Sequence, residues 1–529
     1  MVNKEVLSGF LTPDSSVLAK LNGELAKAEE VSTAVNKEVA ALSPGRQAEL
    51  ASLLTAKFKE LNLTYGPPGL PQEISRTGIA VELVPGVFYD QFSLAATAAL
   101  RQAFNHVLPK MYQEIPFVRE LLSITPEELN KLRELSQGSD QPVAYFGFDL
   151  VGDYGSSSKG GLKINDVNTD RAMIAGYQGE IIVAFSPVVD QIEALKKAGL
   201  VFHNFSPAFA NELLGNLKDG VPNIACLTLP ESDPYLRSGH TNFVNYLNTF
   251  LAGRGVAVLA SPEDLSFEQG QLLVQTVGGK VPTGVVYKGL KSKDILGDPE
   301  RFAPLLEALK KGMPMVNSLE SYLTGSKIGL FLLAWSPDLA NFVKANLHPD
   351  PETAEMMYKV LQRLFPPGAI CYKGTVYTQD GELPASTYLL EHDRKELVIK
   401  AGFSFGGKDI WWGGHLKEWE WQILSGLLTG NYSESETIAN AKGKGWEKVV
   451  DSAKKKPAAW AIQPFLGAER VNAYIVDEGK LVPKTLNTLH RLYHLAQGEG
   501  IFQEMFGGES WKVNASGYSF PSGVIRVAV

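Results

Sequence analysis

The sequence predicts a mixed α+β or α/β chain of several packed units, with a helical region at its N-terminal side. Three observations carry this expectation. Residues 14–62 and 88–135 read as helical, with capping signals at their starts. Residues 180–345 alternate short β-rich runs with helical stretches, the pattern of a sheet with crossover helices. The run Leu397-Val398-Ile399-Lys400 reads as a buried strand that ends in a lysine and passes into a loop holding Gly406 and Gly407.

Composition bounds the function. A chain of 529 residues holds two to four packed units. With 44% hydrophobic and 20% charged residues it is an ordinary soluble globular composition. A net charge of −8 leaves no basic excess to neutralise a nucleic-acid backbone. Two cysteines, Cys226 and Cys371, give neither a disulfide framework nor a zinc spacing, which fits a reducing compartment. No apolar run reaches membrane-spanning length, and residues 1–11 lack the order of a signal peptide. The expectation is a cytoplasmic protein with small-molecule substrates and neither nucleic-acid nor membrane partners. The oligomeric state stays open, a homodimer included.

Taken in order, Asp14 and Ser43-Pro44 can start helices, residues 66–71 break the pattern, and Thr125-Pro126-Glu127-Glu128 starts another helix. No catalytic grouping stands out here, so a helical cap or packing layer is expected. Residues 143–151 read as a strand, 152–161 as a Ser/Gly-rich hairpin tip and 162–170 as the returning strand. Asp166 and Asn168 are two apart and share a face, where Asp149 can meet them across the pair. Two carboxylates and an amide oxygen suit Mg²⁺ when phosphates and water complete its shell. The alternative is a set of polar residues on a wet sheet face.

Further strands are expected at 180–185, 199–202, 224–229, 255–259 and 285–287, with a helix at 241–251 and short elements over 264–275. Lys327 then sits at the first turn of an apolar helix, where positive charge opposes the dipole unless an anion is near. Lys400 is costly to bury unpaired, and a Gly-rich loop beside it lets backbone N–H groups approach an anion. Both lysines are candidate phosphate ligands; solvated lysines in turns are the alternative. Residues 416–428 form an amphipathic helix whose tryptophans pack. The strand at 460–466 stops at Gln463-Pro464-Phe465 and can offer backbone groups to a purine edge. Residues 471–482 form a hairpin, and the last strand carries Arg526.

This order of parts resembles the circularly permuted ATP-grasp family, to which the synthetase part of glutathionylspermidine synthase belongs. The carrying residues are Asp149, Asp166 and Asn168 first, then a V-N…S-K segment ending in Lys327, then Lys400 in I-K-x-x-x-x-x-G-G, then A-I-Q-P. The resemblance covers residues 140–529. It implies an ATP-dependent carboxylate–amine ligase acting through an acyl phosphate, with ATP and Mg²⁺ as cofactors. Lys327, Lys400, Gly406, Gly407, Gln463, Pro464 and Phe465 would bind ATP, and Asp149, Asp166 and Asn168 the metal. Arg526 or Arg171 would stabilise the transferred phosphoryl group or hold the acid. The matching division is a helical region to 135, a central sheet with the metal hairpin over 136–240, an α/β substrate domain over 241–325 and a nucleotide-binding region with a lid over 326–529. The chain departs from the pattern at Asp166, where Glu is usual, and at Gly147, where an arginine often stands. The Asp166 departure shortens the metal reach by one methylene, and Gly147 in place of the arginine argues against glutathione as substrate. Both departures also leave room for an ATP-binding scaffold without transfer, and a phosphotransferase on the same fold is a third reading.

Overall fold

The computed structural model describes the chain except residues 1–3, 62, 66–72, 75–76, 138, 140, 153–160, 171–174, 219, 231–233, 403–409, 443–444, 456–458, 496–500, 509–517 and 528–529. The expected hairpin tip and three expected site residues, Arg171, Gly406 and Gly407, therefore lie outside the described residues.

Local signals place the first helices. Asp14 accepts from the N–H groups of Ser16 and Val17 to cap Ser15–Ala41, and Ser43 accepts from Arg46 to cap Pro44–Glu60. Thr125 and Glu128 form a reciprocal capping box before Pro126–Glu134. These helices and Gly86–Gln102 cover the sheets rather than forming a separate catalytic unit.

Among the described residues the largest sheet has nine strands. Its axis is the 16-residue strand Lys480–Leu495. The first part of this strand pairs with Arg470–Asp477, and residues 490–495 pair antiparallel with Tyr145–Val151. Lys163–Asn168 then pairs outside Tyr145–Val151. The sheet closes on Tyr518–Ile525, which runs parallel to Glu82–Pro85. It thus combines strands from the expected 136–240 and 326–529 segments with strands from the N-terminal region.

Among the described residues four smaller sheets accompany it, one of them only the pair Thr64–Tyr65 and Glu73–Ile74. A parallel sheet runs Met315–Val316, Val285–Lys288, Ile224–Leu227, Ala257–Ala260. A six-stranded antiparallel sheet carries Leu397–Ala401 between Trp460–Pro464 and Ile410–Trp412. Leu265–Glu268, Gln271–Thr276 and Gly279–Pro282 form a meander where short broken elements were expected.

One expected strand is a helix. Residues 180–185 lie inside Ala175–Val189. Ile181, Ala184, Phe185 and Val188 are buried, at helical spacing, and this face packs into a core with Leu50, Leu54 and Phe58. The apolar run looked strand-like because its exposed face also carries apolar residues, Val183 among them at 50% exposure. The strand expected at 199–202 shortens to Val201–Phe202, since Gly199 adopts φ +64° to end the helix Glu193–Ala198.

Candidate active site

The site is assembled where the hairpin Tyr145–Val151/Lys163–Asn168 meets the helix Lys327–Ala334 and the strand Leu397–Ala401. Asp149 and Asp166 are direct cross-strand partners, so both carboxylates lie on one face of the pair. Just beyond them the register shifts, and Asn165 is the extra residue of a β-bulge. The bulge aims both its backbone carbonyl and its side-chain oxygen at Lys400, which donates to them at 2.6 and 2.8 Å.

Lys327 arrives from a different direction. Ser326 caps its helix by accepting from Ile328, and the Lys327 N–H donates to the carbonyl of Gly402 at 3.1 Å. That bond ties the helix start to the end of the Lys400 strand. Gly325 fits tightly there, since a Cβ would lie 2.9 Å from Thr169 Oγ1. The Lys327 ammonium contacts the Asp166 carboxylate directly. Lys327 and Lys400 are 3% and 1% exposed. At that depth an ammonium without a strong anion is costly. Burial pushes Lys327 down to about 7, and the charge of Lys400 adds to this; Asp149 opposes it and Arg491 reinforces it. Burial likewise takes Lys400 to about 7, against the pull of Asp149.

Arg491 completes the group and was absent from the sequence expectation. It stands opposite Asp149 across the sheet and holds it with two bonds, Nε to Oδ1 at 2.5 Å and Nη2 to Oδ2 at 2.8 Å. Its signal in the sequence is one arginine inside a long strand, 342 positions from its partner. Asn168 ends the outer strand opposite Gly147 and is half-buried. Among the described residues, no group of three His, Cys, Asp or Glu side chains forms a metal cluster.

Gln463 and Pro464 sit on the strand beside Lys400, opposite Val398 and Leu397. The Gln463 Oε1 is buried without a protein partner, as is the Trp335 Nε1, and both residues line a small cleft of about 10 Å³ with Phe331, Phe365 and Gly368. Phe465 stacks on Trp412 at a centroid distance of 3.9 Å.

Arg526 does not join this group. It makes a bidentate pair with Asp90, at 2.7 and 3.0 Å, lies against Gly86, and its carbonyl accepts from Lys27. It fastens the last strand to the N-terminal helices. The guanidinium that does join the group is that of Arg491, through Asp149.

No protein-family model matches this chain, and no curated protein matches it. Among solved structures, a glutathione synthetase-like effector from Globodera pallida, in its apo form, superposes with a TM-score of 0.57. The match covers 92% of this chain and 98% of that one at 12% identity. The chain therefore shares the fold of a glutathione synthetase-like protein over nearly its whole length.

Proposed function

We propose that this chain is an ATP-dependent carboxylate–amine ligase. The observation that carries the reading is the convergence of Lys327, Lys400, Arg491, Asp149 and Asp166, drawn from four separate segments, into one buried charged site. Lys327, Lys400 and Arg491 face two carboxylates there, and a bound polyphosphate would draw both lysines, which burial holds near 7, to their charged form. In this reading each cation that would meet phosphate is parked on a partner it can release: Lys327 on Asp166, Arg491 on Asp149 and Lys400 on the neutral Asn165. The likeness to a glutathione synthetase-like fold supports the same reaction class.

Lys327 and Lys400 would hold the ATP phosphates. Gln463, Trp335, Pro464 and Phe465 would border the base, the two orphaned polar atoms offering one acceptor and one donor to it. Gly406 and Gly407 would let their loop approach the phosphates. Asp149, Asp166 and Asn168 would hold Mg²⁺, with phosphate and water oxygens completing the shell. Bound there, Mg²⁺ supplies neutralisation of phosphate charge. Arg491, freed from Asp149, would face the charge that develops on the transferred group. The substrate carboxylate attacks the γ-phosphate to give an acyl phosphate and ADP. The amine then displaces phosphate and leaves an amide.

Purified protein incubated with ATP, Mg²⁺ and an acid–amine panel tests this. The expected result is ADP formation that requires both co-substrates and the metal, with an amide product by mass. Absence of ATP binding overturns the reading. A second reading, a nucleotide-binding protein without transfer, draws on the occupation of both Asp149 oxygens by Arg491 and predicts ATP binding with no ADP formed on any panel.

A further inference from the structure

A second ion pair lies fully inside the molecule, beside the charged site. Lys288, 0% exposed, ends the parallel strand Val285–Lys288. Asp170, 1% exposed, follows the metal strand by two residues. The Lys288 ammonium donates to Asp170 Oδ1 at 2.6 Å, Ser292 Oγ at 2.7 Å, the Ser318 carbonyl at 2.9 Å and Ser321 Oγ at 3.0 Å. Asp170 also accepts from the Ser292 N–H at 3.0 and 3.1 Å and from its hydroxyl at 2.5 Å.

The bonded segments are informative. One is the end of the strand carrying Asp166 and Asn168. Another, residues 318–321, leads within six positions to Lys327. Asn317 and Thr169 reinforce the same junction: Asn317 Nδ2 donates to the Thr169 carbonyl at 2.6 Å, and Thr169 Oγ1 donates to the Ser321 carbonyl at 2.8 Å. A buried ion pair is a poor source of stability, because an apolar pair of similar volume often serves as well. What this one does is fix three segments in one geometry.

We infer that Lys288 and Asp170 are positioning residues, a tie that holds the metal strand and the Lys327 helix start in register for Mg·ATP. The role rests on the ligase reading; the geometry of the tie does not. The test is the double variant Lys288→Met/Asp170→Asn, which removes both charges and keeps an acceptor for Ser292. Its melting temperature is expected within about 3 °C of wild type. Amide exchange is expected to rise across residues 164–170, 288–292 and 318–327 only. Mg·ATP affinity by calorimetry is expected to fall about tenfold, the size of effect seen for groups behind metal ligands. A variant matching wild type in exchange and affinity overturns the inference. So does one that melts far lower with exchange rising throughout the parallel sheet, the mark of a pair that only stabilises. If the wild type itself binds no Mg·ATP, the ligase reading fails, and the exchange measurement still decides the tie.

Discussion

Lys400 is buried at a cost in stability, which the ligase reading explains by phosphate binding. Its ammonium is buried and its hydrogen-bond partners, both oxygens of Asn165, are neutral. Lys400→Met is expected to melt at or above the wild-type temperature, since an apolar side chain replaces a buried amine whose charged form burial disfavours. The same change should weaken ATP binding by about 1.5–3 kcal/mol, or roughly 10- to 100-fold. Paired thermal and calorimetric scans check both; a variant that loses stability and keeps affinity refutes the assignment. Arg491→Met is expected to lower kcat by about 10²-fold or more, with a smaller change in the KM for ATP. Steady-state kinetics separate the two. A third residue sets an acid limit. His494 is buried, stacked against both Phe146 and Phe148, and burial followed by the charge of Arg101 takes it to about 3. The unfolded chain takes up a proton at this histidine below about 6.5, and the folded chain does so only near 3. Its contribution is therefore complete above pH 6.5 and is lost as pH falls toward 3, at about 1.4 kcal/mol per pH unit. Urea midpoints at pH 5 and 7 should differ less in His494→Asn than in wild type; equal differences would remove His494 from the account. The lysines and aspartates were legible because each breaks a local rule: a cation at a helix start, a cation closing an apolar strand, acids inside a hairpin. Arg491 breaks none, and only the sheet register brings it to Asp149. Arg526 shows the converse, a conspicuous terminal arginine whose partner is Asp90.

Among the elements, caps and turns were the most readable, because Asp14, Ser43 and Thr125 act within a few residues of themselves. The helix Ala175–Val189 was not, since a short apolar run carries no decisive period when both faces are apolar. The bulge at Asn165 was also hidden: one unpaired residue in a strand leaves no compositional trace, yet it supplies both bonds to Lys400. The contact between Gly325 and Thr169 is the element-scale test of the site. Gly325→Ala places a methyl 2.9 Å from Thr169 Oγ1, which must turn off its bond to the Ser321 carbonyl or part the Lys327 helix start from the strand carrying Asp166. Overpacking of this kind typically costs about 1–3 kcal/mol, and ATP affinity should fall with it. Adding Thr169→Ala opens the space and should restore most of both. A double variant no better than the single would show that the fit of these segments is not what sets the site.

At the scale of the molecule, strands near residues 80, 150, 200, 490 and 520 share one sheet. No linear division of the sequence anticipates that, because pairing of distant strands depends on the whole chain. What the order of motifs did anticipate is their meeting point, with Lys327, Lys400, Asp149 and Asp166 in one place. The self-paired charges there make a collective prediction. Mg²⁺ alone meets cations and ATP alone meets carboxylates, whereas the two together exchange every partner at once. Calorimetric titration of the wild-type protein with ATP, with Mg²⁺ and with both is the most direct measurement. Weak binding of either alone, tight binding of Mg·ATP, and loss of that binding in Lys327→Met/Lys400→Met are expected. Mg·ATP that fails to bind, or that binds the double variant as well as the wild type, would contradict the ligase reading.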